Sequence, residues 1–157
     1  MRAAQGLGRA RGCIRSALAL GAIMTCPVGA MAAGSPVADA ARANDLAAVR
    51  TLIAAAADVN LAAADGSTAL LWAAYNADDE MIAALLAAGA DPNTPNRFGV
   101  TPLLQASRTG DAATMKALLD GGADPAVTHR EGETALMAAA RTGRVDAVKP
   151  LLEHGAD

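Results

Sequence analysis

The chain has 157 residues and a formal net charge of −3 at pH 7, and only 2% of its residues are aromatic although 53% are apolar. An acidic chain lacks the excess of lysine and arginine that binding to nucleic-acid phosphates requires, so no nucleic-acid partner is expected. Both cysteines, Cys13 and Cys26, lie near the N-terminus. The rest of the chain therefore has no thiol with which to form a disulfide.

The segment at 1–32 has the composition of a secretory signal peptide. Residues 1–15 contain four arginines and no acidic residue, and residues 16–38 contain no charge. An apolar segment at 17–25 and an A-x-A cleavage site, Ala30-Met31-Ala32, follow the basic start. We predict a signal peptide at 1–32, a periplasmic or secreted location, and a mature chain that begins near Ala33 and has no membrane attachment. Removing four of the thirteen basic residues and none of the sixteen acidic ones would change the formal charge to −7.

Two other interpretations of this segment remain. The uncharged stretch at 16–38 is long enough to span a bilayer as an uncleaved inner-membrane anchor. Pro27, Gly29 and the small-residue cleavage site argue against an anchor. Cys26 could also be a lipid-modified first residue, but Thr25 before it differs from the Gly, Ala or Ser that is usual in lipoprotein signals.

A repeat with a period of 33 fills the remainder of the chain. One segment occurs three times, as GSTALLWAA (66–74), GVTPLLQAS (99–107) and GETALMAAA (132–140). A second follows each copy at a constant offset, as AALLAAGAD (83–91), KALLDGGAD (116–124) and KPLLEHGAD (149–157). A divergent earlier copy places Ser35 in register with Thr68 and Asp58 in register with Asp91. The predicted repeats are about 35–64, 65–97, 98–130 and 131–157, the last of them incomplete.

A T-x-L-x-x-A opening and an L-L-x-x-G-A-D close at this period resemble the ankyrin repeat. The resemblance implies an all-α fold: an ankyrin-repeat solenoid of helix-turn-helix units joined by β-turns, with three clear repeats and one degenerate N-terminal repeat, over residues 33–157. We expect the threonine of each opening to cap the first helix, because its hydroxyl can accept a hydrogen bond from a backbone N–H without a partner in the helix. Glycine before Ala-Asp is expected to end the second helix in a left-handed conformation.

The chain departs from the family pattern in three ways. The histidine of the usual T-P-L-H opening is replaced by Leu71, Leu104 and Met137, so we expect the stack to depend more on apolar contact. Pro150 falls inside the last predicted helix, where it would remove a backbone hydrogen bond, so that repeat is predicted to be the weakest. No polar capping helix follows Leu152, which predicts either a longer repeat array or a partner covering this end.

Catalytic and metal-binding patterns are weak in this sequence. His129 and His154 lie in different parts of successive repeats, and the aspartates fall at the repeat's turn position or near helix N-termini. We therefore predict a protein without enzymatic activity, cofactor or metal site.

One set of residues recurs as a candidate binding surface. Arg42, Tyr75, Arg108 and Arg141 occur once per repeat, near the end of each first helix, a place that faces the concave groove in ankyrin proteins. The predicted contact residues also include Trp72 and the turn-tip residues Arg97, Phe98, Val100, Arg130, Glu131 and Glu133. Alternatively, the arginines are incidental residues of an exposed helix face, and Trp72 packs against the first repeat.

The resemblance and this surface together predict a non-catalytic interaction module of the periplasm or cell envelope. Its partner would be another protein, with an acidic contact surface. The alternative is an accessory, protective or inhibitory subunit that covers the active site of a partner enzyme.

Overall fold

The computed structural model describes residues 34–157, and the predicted signal peptide at 1–32 lies outside the described residues. Residues 34–157 form eight α-helices in four pairs. They are α1 (Pro36–Arg42) and α2 (Leu46–Ala54), α3 (Ala69–Asn76) and α4 (Asp79–Ala87), α5 (Pro102–Thr109) and α6 (Ala112–Asp120), and α7 (Ala135–Arg141) and α8 (Val145–Glu153). The predicted all-α arrangement of helix pairs is confirmed. No helix in this part of the chain has the length and apolar character needed to cross a membrane.

Side-chain caps explain where the helices begin. The Thr101 hydroxyl accepts a hydrogen bond from the Leu104 N–H at 3.3 Å, and Asp78 accepts one from the Met81 N–H at 3.0 Å. Each bond satisfies a backbone donor that has no partner within the helix. The same role is played by Ser35, Thr68 and Thr134 before the other first helices and by Asp45 and Asp111 before two other second helices. The predicted threonine caps are confirmed.

The core is a stack of helix faces rather than one central cluster. First helices pack on first helices and second helices on second helices along the chain. Leu70 and Leu103 represent the first layer and Leu85 and Leu118 the second, and all four are at most 1% exposed. Each repeat therefore buries its apolar face mainly against its neighbours, as in other solenoids.

Apolar contact replaces the missing histidine at two of the three positions, Leu71 and Leu104. Leu71 and Leu104 are buried and form a small separate cluster with Val100 and Ala138. Val100, which was predicted to contact a partner, is only 7% exposed and so offers little surface to one. Val100 lies at a turn tip but points into the contact between repeats.

Hydrogen bonds between repeats, which were not predicted from the sequence, supplement the apolar contact. The Asn60 side chain donates to the Gly89 carbonyl at 3.0 Å and accepts from the Asp91 N–H at 2.8 Å. Asn93 makes the same two bonds to Gly122 and Asp124 one repeat later. The next residue in this register is Ala126, which has no amide, so the series of bonds ends there.

The last repeat has further weaknesses. Pro150 is buried in the interior of α8, as predicted. Arg144 stands where the other second helices have a capping aspartate, and its side chain makes no capping hydrogen bond within residues 34–157. Met137 and Leu152 are 58% and 55% exposed, whereas the residues one repeat earlier are buried. That this repeat is the least stable remains a prediction.

Replacing Arg144 by Asp should stabilise the fold. The new carboxylate would accept a hydrogen bond from the Ala147 N–H and would interact favourably with the N-terminus of α8. We expect the free energy of unfolding in urea to rise by about 1 kcal/mol. Arg144→Ala removes the same charge without adding an acceptor, so an equal gain in that variant would show that capping is not the cause.

Candidate protein-binding surface

Two neighbouring cavities lie between the first helices and the turn tips of the last two repeats. The first, of about 660 Å³, is lined by Arg108, Glu131, Gly132, Glu133, Met137, Ala138, Arg141 and Thr142. The second, of about 540 Å³, is lined by Arg97, Phe98, Val100, Arg108, His129, Arg130 and Glu131. Arg108 and Glu131 line both, so the cavities adjoin. We call this surface the basic groove and define it by Arg97, Arg108, Arg130 and Arg141 with Phe98, Glu131 and Glu133.

Glycines at the turn tips bring the tip arginines of the groove into place. Gly66 and Gly99 have φ angles of 81° and 82°, which are strained for other residues. A Cβ atom at Gly66 would approach the backbone nitrogen of Arg97 to 2.9 Å, and one at Gly99 would approach Cγ of Arg130 to 2.8 Å. The Arg97 N–H also donates to the Asp65 carbonyl at 3.1 Å. Each arginine therefore packs directly against the preceding tip.

Glu133 pairs with two of the once-per-repeat arginines, Arg108 and Arg141. Its Oε2 atom accepts hydrogen bonds from Nε and Nη2 of Arg108 at 3.1 and 2.7 Å. Nη1 of Arg141 lies 3.0 Å from Oε1 but is not aligned for a hydrogen bond, so Oε1 has no hydrogen-bond partner among the described residues. The Glu133 side chain is only 13% exposed, whereas that of Arg141 is 77% exposed. Glu133, a predicted contact residue, therefore also positions the two arginines, a role that the sequence pattern does not indicate.

Hydrogen bonding to Arg108 lowers the pKa of Glu133 below its usual value, and the charges of Arg108, Arg141 and His129 act in the same direction against the effect of burial. The carboxylate is therefore ionised at neutral pH. Two arginines and one glutamate leave this cluster with one excess positive charge.

The other predicted contact residues form a second cluster in the first two repeats. The guanidinium carbon of Arg42 lies 5.9 Å from the ring centroid of Trp72, and the Trp72 and Tyr75 rings meet edge to face at 5.8 Å. Trp72 is partly buried against the core, and its Nε1 has no acceptor within residues 34–157. Arg42 belongs to the first repeat, so the packing interpretation of Trp72 is the better one. Tyr75 is 58% exposed and remains open to a partner.

The acidic and histidine side chains have local structural contacts. Asp58, Asp91 and Asp124 each accept a hydrogen bond from the backbone N–H two residues later, which confirms their predicted turn position. His129 accepts one from the Glu131 N–H, and His154 lies near Asp120 at the end of α8. Within the described range, no group of three or more His, Cys, Asp or Glu side chains is placed to hold a metal ion.

Comparison with known protein families agrees with this architecture. A family model for ankyrin repeats in three copies matches residues 1–96 and, in an overlapping second match, residues 72–157. The chain belongs to the ankyrin-repeat family. Ankyrin repeats are generally protein–protein interaction modules and are typically not catalytic. The comparison with curated proteins returned no match.

The ion pairs of Glu133 with Arg108 and Arg141 predict that the stability of the ankyrin domain depends on pH. Because the folded pKa of Glu133 is depressed, its stabilising effect is present above the ordinary value of 4.5 and is lost as the pH falls through the folded pKa. We expect Glu133→Gln to lower the free energy of unfolding at pH 7 by about 1 kcal/mol or less. The difference from the unmodified chain should shrink as the pH falls below 4.5.

The free energy of unfolding in urea would be measured for each chain across this pH range. Glu131→Gln, a substitution at an exposed neighbouring residue, serves as the control. A difference between Glu133→Gln and the unmodified chain that stays constant across the range would mean that the ion pair does not stabilise the fold.

Proposed function

We propose that this chain is an exported binding module and that its ankyrin domain binds an acidic surface of a partner protein through the basic groove. The observation that carries the proposal is the distribution of charge. Residues 33–157 contain nine basic and sixteen acidic residues, yet four of the arginines line two adjoining cavities. Two glutamates of the groove leave a local excess of two positive charges on an acidic domain.

Exposure and shape support the same assignment. Phe98 and Met137 are 66% and 58% exposed. Met137 lines the first cavity together with Arg141, and Phe98 lines the second together with Arg97 and Arg130. Arginine, methionine and aromatic residues are enriched in protein interfaces relative to the rest of the surface. Opposite charge on the partner would raise the association rate and favour one orientation of binding.

Export from the cytoplasm is the second part of the proposal. Its support is the basic start of the chain, the apolar segment at 17–25 and the A-x-A sequence at 30–32. The partner would then be a protein of the cell envelope or of the exterior.

Export can be tested by isolating the protein from fractionated cells of its native host. N-terminal sequencing of the periplasmic or secreted fraction should find a chain that begins at or near Ala33. Recovery of the intact Met1 form in the membrane fraction would instead support an uncleaved anchor.

Groove binding can be tested by neutralising the central cluster. Glu133 would be left unpaired if only its arginines were removed, so the variant is Arg108→Gln/Glu133→Gln/Arg141→Gln. The partner is first isolated with the tagged chain, and association is then measured by surface plasmon resonance at several salt concentrations. We expect association at low salt to be roughly tenfold slower and its salt dependence to weaken, because steering by charge is screened by salt.

A matched control separates the groove from net charge. Arg50 pairs with Glu80 at 3.2 Å, and Lys116 is exposed on α6. Arg50→Gln/Glu80→Gln/Lys116→Gln removes the same charges away from both cavities. Equal loss of binding in the two variants would show that net charge, rather than the groove, governs association.

A further inference from the structure

The two side-chain clusters are equivalent positions of the repeat. Arg42 lies in the first repeat and Trp72 in the second, and a shift of two repeats places Arg108 and Ala138 at the same positions. The same shift carries Tyr75 to Arg141. The structure therefore contains two versions of one local arrangement, in which a first-helix arginine lies beside a residue of the following repeat.

The two versions differ in what occupies the space beside the arginine. In the first, the Trp72 ring lies 5.9 Å from the Arg42 guanidinium carbon and contacts the Tyr75 ring at its edge. In the second, the residue in register with Trp72 is Ala138, and a cavity of about 660 Å³ is lined by Arg108, Ala138 and Arg141. Small-molecule and side-chain pockets commonly have volumes of about 300–1,000 Å³. The cavity is thus large enough for a group that the chain itself supplies two repeats earlier.

We propose that this cavity receives an aromatic side chain of the partner, next to an acidic residue in the partner's sequence. The inference rests on the proposed function and specifies the kind of segment that the basic groove binds. The ring would lie beside the Arg108 guanidinium, as Trp72 lies beside Arg42, and would contact the exposed Met137 side chain. Cations and thioether sulfurs both interact favourably with aromatic rings.

The hydrogen bonding of the two arginines distinguishes their roles. Arg108 already donates through Nε and Nη2 to Glu133, which leaves fewer N–H groups for an anion but leaves the planar faces for stacking. Arg141 is 77% exposed and has N–H groups that can donate to a carboxylate. An aromatic residue flanked by acidic ones therefore fits this cavity better than an anion alone.

Capped peptides provide the direct test. The tripeptide Asp-Trp-Glu, blocked at both ends, is titrated into the ¹⁵N-labelled chain and compared with blocked Asp-Ala-Glu by NMR. We expect the tryptophan peptide to bind at least tenfold more tightly and to shift the amide signals of Met137, Ala138 and Arg141. Equal binding of the two peptides, or no shift of these signals at up to about 10 mM peptide, would overturn the proposal.

Two substitutions make the test specific. Ala138→Trp should fill the cavity with the chain's own ring and weaken binding of the tryptophan peptide at least tenfold. Met137→Ala removes an exposed contact and should weaken it about twofold to threefold while the fold is kept. If the Ala138→Trp chain folds and its affinity for the tryptophan peptide is unchanged, the proposal is overturned. If it does not fold, the Met137→Ala variant and the comparison of the two peptides still test the proposal.

Failure of the aromatic-side-chain proposal can be distinguished from failure of the proposed function. If the charge-neutralised cluster variant loses the partner but the two peptides bind alike, the groove binds a protein without an aromatic anchor in this cavity. If the cluster variant keeps normal association, the groove assignment itself is wrong.

Discussion

Each helix pair covers its apolar face by stacking on the next pair, and this contact determines both the core and the arrangement of the surface. Leu70, Leu85, Leu103 and Leu118 are covered chiefly because successive repeats lie against one another. The free energy of unfolding of such a stack is approximately the sum of the intrinsic stabilities of the repeats and the stabilities of the interfaces between neighbouring repeats. A weakness in one repeat therefore acts mainly on that repeat and its neighbours. The uncapped α8, its buried Pro150 and the loss of the asparagine bonds at Ala126 all fall at the same end.

The same stacking produces the basic groove. Because the stack repeats at a constant period, side chains in one register stand in a row whatever their chemistry, and only the core positions are restricted to small or apolar residues. Arginine can thus occur in the row without disturbing the stack. Different residues at equivalent positions, such as Trp72 and Ala138, change the shape and chemistry of the surface from one repeat to the next. Specificity can vary in this way while the fold stays the same.

The period, the threonine caps, the left-handed glycines and the placement of the arginines beside the turn tips were predictable from sequence. All of these depend on local geometry or on the repeat itself. The left-handed φ angles of Gly89, Gly122 and Gly155 are an example. The inward position of Val100, the pairing of Glu133 with two arginines and the asparagine bonds between repeats were not predicted. They depend on side-chain conformations at contacts between repeats, and a pattern within one repeat does not fix these. An Asp-x-Asn sequence that recurs in register at 58–60 and 91–93 was a visible signal for the asparagine bonds.

Site-specific photo-crosslinking in cells of the native host would show whether the partner contacts the basic groove. A photoreactive residue would be placed at exposed Phe98 or Met137 in the groove, and at Lys116 on α6 outside both cavities. If the partner binds in the groove, Phe98 and Met137 should crosslink to one shared protein, and Lys116 should give little or none of it. Efficient crosslinking of that protein from Lys116, with none from Phe98 or Met137, would place the contact surface on the second-helix layer instead.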